Sequence, residues 1–450
     1  MTRFVRLMCL VHVLLVFTAY AHAVRPNVVL IMADDLGYGD IGCYDGWIKT
    51  PHIDSIARNG VRFTDYHSNG NVCSPTRAAL MTGLYQQKVG IPFVVVAAEQ
   101  NVNHFAGIQP SETTWAEAMK AGGYATGIFG KWHLGYYPRY NPVKHGFDEF
   151  VGYVSGNVDF FSHIDQAGNL DWWRNAHLKD EEGYSTHLIT EHATEFIDRH
   201  ANKQPFFLYV PHEAPHYPYQ GPGDKADRTV GGEFENHGSR VDKKQAYREM
   251  VAEMDKGVGQ ILKALQKHEI DDNTIVIFCS DNGATSLGSN GQLRGTKGTN
   301  FEGGHRVPCV VQWPGTFPKN KTNSQLMLSM DWMATILGIT GLREKCSRQL
   351  DGHDLTDYIL EKRKPGGRTV MWGDSTLRSG KWKLMLPQKQ HPEVGLYDLS
   401  EDLSESKNLA GKYPAVVELL TADLKDLSGD AKMRATRQPV EAPQTPDSAK

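Results

Sequence analysis

The stretch NVVLIMADD, residues 27 to 35, is an uninterrupted apolar run that ends in two aspartates. A short apolar run without alternation is typical of a strand buried on both faces of a largely parallel sheet. Four further runs share this character, and three of them also end in polar side chains. They are ATGIFGKWH at 125–133, PFFLYVPHEAPH at 205–216, TIVIFCSDNG at 274–283 and VPCVVQWPG at 307–315.

Helix-like segments separate these runs. Between Lys243 and Leu265 the apolar side chains recur at spacings of three and four residues, so they share one face. A second helix is predicted over Ser111–Ala121, which opens with a serine. The alternation of strands and helices predicts an α/β fold, in which a large, mixed and mostly parallel sheet is sandwiched between helices.

The pattern changes after about residue 340. The short alternating runs TVMWGD, KWKLML and GLYDLS precede an amphipathic stretch at 414–427. They predict a small antiparallel sheet covered by one helix. We therefore divide the chain into a major domain at 24–340, a smaller α+β domain at 341–435 and a loose tail at 436–450, whose composition offers little apolar surface to pack.

Residues 1–23 have the pattern of a signal peptide. Arg3 and Arg6 precede the apolar stretch LMCLVHVLLVFTAY, and the sequence AHA stands directly before Val24. The stretch is interrupted by His12 and is shorter than the ~20 residues needed to span a membrane, so we expect cleavage and no membrane span. The expected destination is secretion or the periplasm, or the lysosome if the source is eukaryotic.

The overall charge restricts the class of partner. The chain has 48 basic and 52 acidic residues, a formal net charge of −4 that becomes more negative when the signal is removed. Such a molecule repels nucleic acid and other polyanions at long range. We therefore expect no nucleic-acid partner, and any anionic substrate must meet its cations inside one pocket.

Five cysteines remain after processing, and their odd number leaves at least one thiol unpaired. Cys279 and Cys309 lie in apolar runs and are predicted to be small buried hydrophobic residues. Whether any two form a disulfide stays open at this point. The five are Cys43, Cys73, Cys279, Cys309 and Cys346.

Polar side chains follow four of the five buried runs, at the end where an open α/β sheet binds its ligand. Adjacent carboxylates such as Asp34 and Asp35 repel each other unless a cation lies between them. The sequence Ser280-Asp281-Asn282-Gly283 offers a second oxygen cluster, and oxygen donors favour Ca²⁺ or Mg²⁺ over zinc. The residues predicted to converge on one site are Asp34, Asp35, Lys131, His133, His216, Asp281 and Asn282.

The stretch CSPTRAALMTG at 73–83 carries a candidate reactive thiol. Arg77 follows Cys73 by one helical turn, so a helix that begins near Pro75 would direct both toward the same cavity. A helix N-terminus there would also favour an anion.

This stretch resembles the sulfatase signature C-x-P-S-R-A-x-L-x-T-G, with Thr76 in place of the usual serine and Leu84 where many members have arginine. The chain is similar to the formylglycine-dependent sulfatases of the alkaline-phosphatase-like superfamily over most of its length. The other matching blocks are NVVLIMADDLGYG at 27–39, GKWHLG at 130–135, HGFDEF at 145–150, APHYP at 214–218, SDNG at 280–283, GTKGTNFEGGHRVP at 295–308 and LYDLSEDLSESKNLA at 396–410.

The resemblance implies that a maturation enzyme converts Cys73 to formylglycine (3-oxoalanine). Its hydrate would attack sulfur with one hydroxyl and release sulfate after deprotonation of the other, whereas a serine would leave a stable ester. One Ca²⁺ per subunit would polarise the ester. The implied metal ligands are Asp34, Asp35, Asp281, Asn282 and the modified Cys73.

The resemblance also implies roles for the remaining side chains. Arg77 and Lys131 would stabilise charge on the sulfuryl oxygens, and Asp281 would accept the proton of the attacking hydroxyl. His133 would be the base that breaks down the sulfated intermediate. His216 and Lys297 would bind sulfate and protonate the leaving oxygen.

The expected substrate is a sulfated carbohydrate. The loop at 152–174 contains GNVDFFSH and looks like the corresponding loop of N-acetylgalactosamine 4-sulfatases, which favours a galactose-type sugar. Its aromatic side chains are candidates for stacking on sugar rings, although a hydrophobic cluster beneath the loop accounts for them equally well. They are Tyr153, Phe160, Phe161, His163, Trp172 and Trp173.

Two alternatives remain. A phosphoester hydrolase of the same superfamily would use two zinc ions with additional Asp and His ligands and a Ser or Thr nucleophile, whereas this sequence offers Cys73 and one oxygen-rich metal set. A non-catalytic binder of sulfated glycans would keep the pocket without the modification of Cys73.

Overall fold

A computed structural model describes residues 25–435. The predicted signal peptide at 1–23 and the predicted tail at 436–450 lie outside the described residues. The strands are β1 (Asn27–Ala33), β2 (Val61–Phe63), β3 (Tyr66–His67), β4 (Ala125–Lys131), β5 (Glu149–Tyr153), β6 (Trp173–Arg174), β7 (His177–Leu178), β8 (Phe206–Pro211), β9 (Thr274–Ser280), β10 (Cys309–Gln312), β11 (Lys321–Asn323), β12 (Met327–Leu328), β13 (Thr369–Trp372), β14 (Thr376–Ser379), β15 (Trp382–Met385) and β16 (Gly395–Asp398).

The helices connect these strands. None of those described has the combined length and apolarity required to cross a membrane. Short 3-10 turns occur at 42–44, 102–105, 138–140, 142–144 and 343–345. The α-helices are α1 (Pro51–Asn59), α2 (Cys73–Thr82), α3 (Trp115–Ala121), α4 (Ser185–His200), α5 (Lys243–Lys267), α6 (Glu302–His305), α7 (Asp331–Ile339), α8 (Thr356–Ile359) and α9 (Pro414–Ala435).

The main sheet has ten strands in the order β11-β2-β10-β9-β1-β8-β4-β5-β6-β7. The five central strands from β9 to β5 are parallel, whereas β10 pairs antiparallel with β9. Every residue of β1, β4, β8 and β9 is buried, as their lack of polar alternation predicts. The mixed, mostly parallel sheet is confirmed.

Helices cover both faces of this sheet. Side chains of α2, α3 and α7 join one hydrophobic core, which includes Val28, Leu30 and Met32 of β1. Side chains of α1, α4 and α5 join the other core, which includes Val29 and Ile31. Successive residues of β1 therefore alternate between two cores, as a strand between two helical layers requires.

The C-terminal part forms a four-stranded antiparallel sheet in the order β13-β14-β15-β16. Leu420 and Leu424 of α9 pack on it together with Val370, Leu377 and Leu384. The predicted antiparallel sheet and covering helix are confirmed, and the helix extends beyond residue 427 to Ala435.

Two predicted helix boundaries differ from the structure. The helix predicted from Ser111 begins at Trp115, because the Thr114 hydroxyl accepts from the Glu117 amide while the Glu117 carboxylate accepts from the Thr114 amide. This capping box fixes the helix start. The helix predicted from Pro75 begins two residues earlier, at Cys73, where proline is still tolerated within the first turn.

Candidate active site

The carboxyl ends of β1 and β9 lie side by side and bring the two acidic clusters together. Ala33 is paired in register with Ser280, so the residues that follow each strand are neighbours. The Asp35 amide donates to Asp281 Oδ1 at 3.2 Å, and Asn282 Nδ2 donates to Asp35 Oδ1 at 2.7 Å. All four side chains, those of Asp34, Asp35, Asp281 and Asn282, are buried.

Cys73 is the first residue of α2 and is 3% exposed. Its Sγ lies 3.4 Å from Asp34 Oδ1. The Thr76 hydroxyl accepts from the Gly70 amide at 3.0 Å, which fixes the turn before the helix. Thr76 therefore keeps the hydroxyl expected of serine in the signature, and the positive end of α2 is directed at the site.

Three cations, buried Arg77 and Lys131 and partly buried Lys297, bind the three carboxylates. Arg77 donates to Asp281 Oδ2 through Nη2 at 2.8 Å and through Nε at 3.2 Å. Lys131, the last residue of β4, donates to Asp34, and Lys297 Nζ donates to Asp35 Oδ2 at 2.9 Å. The three positive charges balance the three negative charges, so an added divalent cation would leave a net positive pocket that suits an anionic ester.

Burial and these ion pairs shift the pKa values of the site. Burial disfavours the charged form of Asp35, but Lys297 and His216 outweigh it and hold its pKa below the ordinary value. Burial and the neighbouring Asp34 raise the pKa of Asp281. Burial, Asp281 and Asp34 also raise the pKa of the Cys73 thiol. The unmodified thiol is thus a weak nucleophile here, since the thiolate is the reactive form.

Both predicted histidines lie at the site. His133 Nε2 donates to the Val95 carbonyl at 2.7 Å, and its buried Nδ1 has no partner among the described residues. His216 Nδ1 donates to the Tyr217 carbonyl at 2.7 Å, and its Nε2 lies 3.7 Å from Asp35 Oδ2. Burial, reinforced by Lys131 at His133 and by Lys297 at His216, lowers both pKa values well below 6.5.

The donor set fits a hard divalent cation. Ligand atoms of Asp34, Asp35, Cys73 and His216 lie within 4.8 Å of one another. The buried Oδ1 of Asn282 has no hydrogen-bond partner among the described residues, which leaves a carbonyl oxygen available as a ligand. Oxygen atoms predominate in this set, as Ca²⁺ requires. His216 enters this group, whereas the Asp281 carboxylate already binds Arg77 and the Asp35 amide.

Most of the aromatic side chains in the loop at 152–174 are buried, so they are not available to stack on a sugar ring. Tyr153, Phe160 and Trp172 are at most 1% exposed and pack in the core that contains Val29. His163 is also buried and stacks on Trp172, with ring centroids 4.2 Å apart. For these four residues the second alternative, a hydrophobic cluster beneath the loop, describes the structure, because their rings stabilise the loop from inside. Phe161 and Trp173 are only partly buried.

Several contributions to the site carry no motif that a sequence pattern reveals. The Val95 carbonyl orients His133, and a main-chain carbonyl can belong to any residue type. Gly156 leaves room for the same ring, because a Cβ there would lie 3.0 Å from His133 Cε1. Leu84, which stands where many relatives have arginine, is buried in the core beneath α2.

Comparisons with known proteins agree with this geometry. Human N-acetylgalactosamine-6-sulfatase is 35% identical over 362 residues, which cover 75% of this chain and 66% of the relative, so the chain spans just under two thirds of that protein. Human arylsulfatase G is 29% identical over 488 residues, covering 90% of this chain and 88% of the relative. The crystal structure of Ps i-CgsB in complex with k-i-k-neocarrahexaose superposes with a TM-score of 0.78 at 28% identity, covering 91% and 94% of the two chains. The Sulfatase family model matches residues 26–342, and the chain belongs to the sulfatase family.

Proposed function

We propose that this protein is a sulfuric ester hydrolase that removes sulfate from a sulfated carbohydrate. The observation that carries the proposal is the cluster in which Cys73 Sγ lies 3.4 Å from Asp34, beside three cations and an Asn282 oxygen that has no partner among the described residues. An anionic ester needs cations for its oxygens and a nucleophile beside its sulfur, and these three cations and a modified Cys73 would supply them.

The family chemistry assigns the nucleophile to Cys73. Conversion of its side chain to formylglycine would supply one hydroxyl for attack and a second for release of sulfate, and Ca²⁺ would supply Lewis acidity. We propose Asp34, Asp35 and Asn282 as metal ligands, with Asp281 and Cys73 completing the set. The raised pKa of Asp281 suits a carboxylate that accepts a proton from the attacking hydroxyl.

We assign the remaining roles in the reaction to the cations and the histidines. Arg77 and Lys131 hold the sulfuryl oxygens and stabilise their charge. His133 accepts a proton at its unpartnered Nδ1, since its Nε2 is committed to the Val95 carbonyl. His216 and Lys297 bind sulfate and protonate the leaving oxygen; the lowered pKa makes protonated His216 the stronger acid of the two.

The relatives support a carbohydrate substrate. One relative is named for an N-acetylgalactosamine sulfate, and the structural neighbour was crystallised with neocarrahexaose, a carbohydrate. Both names agree with the galactosamine resemblance noted for residues 152–174. We propose a galactose- or N-acetylgalactosamine-type oligosaccharide or polysaccharide. The loop suggests sulfate on carbon 4 and the relative's name suggests carbon 6, and comparison of oligosaccharides sulfated at one position or the other distinguishes the two.

Processing is also part of the proposal. We propose that residues 1–23 direct export, to the medium, periplasm or lysosome, and that a formylglycine-generating enzyme modifies Cys73 on the way. We keep the division at about residue 340, because all ten proposed site residues lie in 24–340 while 341–435 contains the antiparallel sheet.

The test compares matched esters and the modification state. We expect the purified protein to hydrolyse an aryl sulfate at least ~100-fold faster than the matching aryl phosphate, and to release sulfate from chondroitin sulfate or carrageenan oligosaccharides. A preference for the phosphate would indicate a phosphoester hydrolase. Mass spectrometry of the Cys73 peptide provides the control, since an unconverted thiol in protein from its native host would indicate a non-catalytic binder.

A further inference from the structure

A cluster of aromatic side chains lies on the protein surface directly after the active-site strand β4. We call it the aromatic patch and define it by His104, Phe105, Tyr136, Tyr137 and Arg139. His104 stacks on Tyr136 with ring centroids 4.7 Å apart, and Phe105 stacks on Tyr137 at 6.1 Å. All four rings are only partly buried, and Arg139 is exposed. Partly exposed aromatic rings grouped in this way are typical of a binding surface rather than of a core.

Hydrogen bonds connect the aromatic patch to the catalytic pocket. His133 donates to the Val95 carbonyl, and the next carbonyl, that of Val96, binds His104 Nδ1 at 3.0 Å. Tyr137 follows His133 by four residues, which span at most about 14 Å of chain. The patch therefore adjoins the place where we propose that sulfate is released.

Buried contacts hold the patch in one conformation. Tyr140 is 1% exposed, its carbonyl accepts from Trp132 Nε1 at 2.7 Å, and its hydroxyl accepts from Arg139 at 2.9 Å. An added Cβ at Gly107 or Gly135 would overlap the Tyr140 ring, so both glycines allow the two segments to close on it. A surface fixed in advance binds a ligand with less loss of conformational entropy.

Arg139 gives the patch a preference for anionic ligands. Its guanidinium lies over Tyr137 at 5.7 Å and over Tyr140 at 4.8 Å, and none of the carboxylates in residues 25–435 forms an ion pair with it. An unpaired guanidinium held against aromatic rings offers a planar donor to sulfate or carboxylate. The neighbouring rings offer apolar faces to the C–H face of a sugar.

We propose that the aromatic patch binds a second, anionic sugar ring of the substrate, next to the ring that carries the ester to be cleaved. This inference rests on the proposed function and makes the protein an enzyme of sulfated chains rather than of isolated monosaccharides. Tyr137 and Phe105 contact the sugar face, and Arg139 binds the anionic substituent of that ring.

The experiment uses Tyr137→Ala and Arg139→Ala, with Tyr358→Ala and Arg363→Ala as matched controls, because Arg363 likewise lies over a half-buried tyrosine at 5.8 Å. We measure kcat/KM for chondroitin sulfate and carrageenan hexasaccharides relative to that for an aryl sulfate. The ratio is expected to fall about tenfold in the patch variants and to stay unchanged in the controls. An unchanged ratio in the patch variants, or an equal fall in the controls, overturns the inference.

Binding provides the second readout. We titrate the same hexasaccharides into Cys73→Ala protein by calorimetry and expect affinity to weaken about tenfold when Arg139→Ala is added. Absence of binding to the Cys73→Ala protein, or equal affinity with and without Arg139, contradicts the inference. Failure of the proposed function is distinguished separately, as absence of aryl sulfate turnover by the wild-type protein.

Discussion

Two buried clusters in this protein have similar composition but different bonding. Ligand atoms of Asp34, Asp35, Cys73 and His216 lie within 4.8 Å of one another, and so do those of His67, Glu302 and His305. The first cluster adjoins an oxygen of Asn282 and a nitrogen of His133 that have no hydrogen-bond partner within residues 25–435. In the second cluster, by contrast, the ligand atoms of His67, Glu302 and His305 all have partners within the protein.

The second cluster is a closed ionic network between α6, β3 and the four-stranded sheet. His67 Nδ1 and His305 Nδ1 lie 2.9 Å apart, and Lys383 of β15 donates to Glu302 Oε1 at 2.9 Å. Arg378 of β14 binds both oxygens of Asp65, at 2.7 and 2.8 Å. Cations of the protein already bind these side chains, so this network joins the four-stranded sheet to α6 and to β3, which pairs with β12 in a separate two-stranded sheet. Unused ligand atoms, rather than residue composition, distinguish a candidate metal site from a structural network.

The largest expected effect comes from changing Cys73, the proposed nucleophile. Cys73→Ser is expected to lower multiple-turnover hydrolysis of an aryl sulfate by about 10⁴-fold or more, because serine lacks the second hydroxyl that releases sulfate. Rapid-quench kinetics checks this, and mass spectrometry is expected to show one retained sulfuryl group. Cys43→Ser is the control, since Cys43 is only partly buried and lies outside both clusters. Sustained turnover by Cys73→Ser would show that the diol chemistry is wrong.

Removal of the proposed Ca²⁺ is expected to lower activity through the first cluster alone. Chelation with EDTA should lower kcat by about 10³-fold, the equivalent of several kcal/mol of Lewis-acid stabilisation, and added Ca²⁺ should restore it. Steady-state assays across a calcium titration measure the effect. The Glu302→Gln protein should require the same calcium concentration as wild type. A higher requirement in that variant would mean that the second cluster also holds metal.

Breaking the ionic network is expected to cost stability. Glu302→Gln leaves the buried charge of Lys383 with one carboxylate partner fewer and should lower the free energy of unfolding by about 3 kcal/mol. Chemical denaturation measures the change. Glu361→Gln is the matched control, because its ion pair with Lys321 is exposed and should contribute less than about 1 kcal/mol. Equal losses in the two variants would contradict a buried network.

The smallest expected effect concerns pH. Burial lowers the pKa of His67 in the folded protein, even though Glu302 and Asp65 raise it. Below about pH 6.5 the unfolded chain gains a proton that folded His67 does not, so wild-type stability falls as pH falls. His67→Gln should flatten this slope by up to about 1.4 kcal/mol per pH unit between pH 6.5 and 5.5. Denaturation midpoints at several pH values test it, and parallel slopes would contradict the assignment.

The sequence predicts the large sheet well because each buried strand is specified locally. β1, β4, β8 and β9 lie where apolar runs predict them, and α5 follows its three- and four-residue periodicity. The start of α3 was wrong by four residues, because a reciprocal side-chain cap at Thr114 decides it. Helix ends depend on such single contacts, whereas strands depend on a whole run of residues.

The candidate site was predictable to the extent that it lies at strand ends. Asp34, Lys131 and Asp281 follow or end their strands, and parallel pairing brings them together. The aromatic residues of the loop at 152–174 were not predictable, because an aromatic ring is equally suited to a core and to a sugar-binding surface. Only three-dimensional contacts show that Trp172 is buried and that Tyr137 is partly exposed.

The most direct test of the difference between the two clusters is the calcium content of the purified protein, measured by inductively coupled plasma mass spectrometry after dialysis. We predict one calcium ion per chain in the wild type and in Glu302→Gln, and a loss of calcium in Asp35→Ala and Asn282→Ala. A wild-type protein without calcium, or a loss of calcium caused by Glu302→Gln, would contradict the assignment of the metal to the ends of β1 and β9.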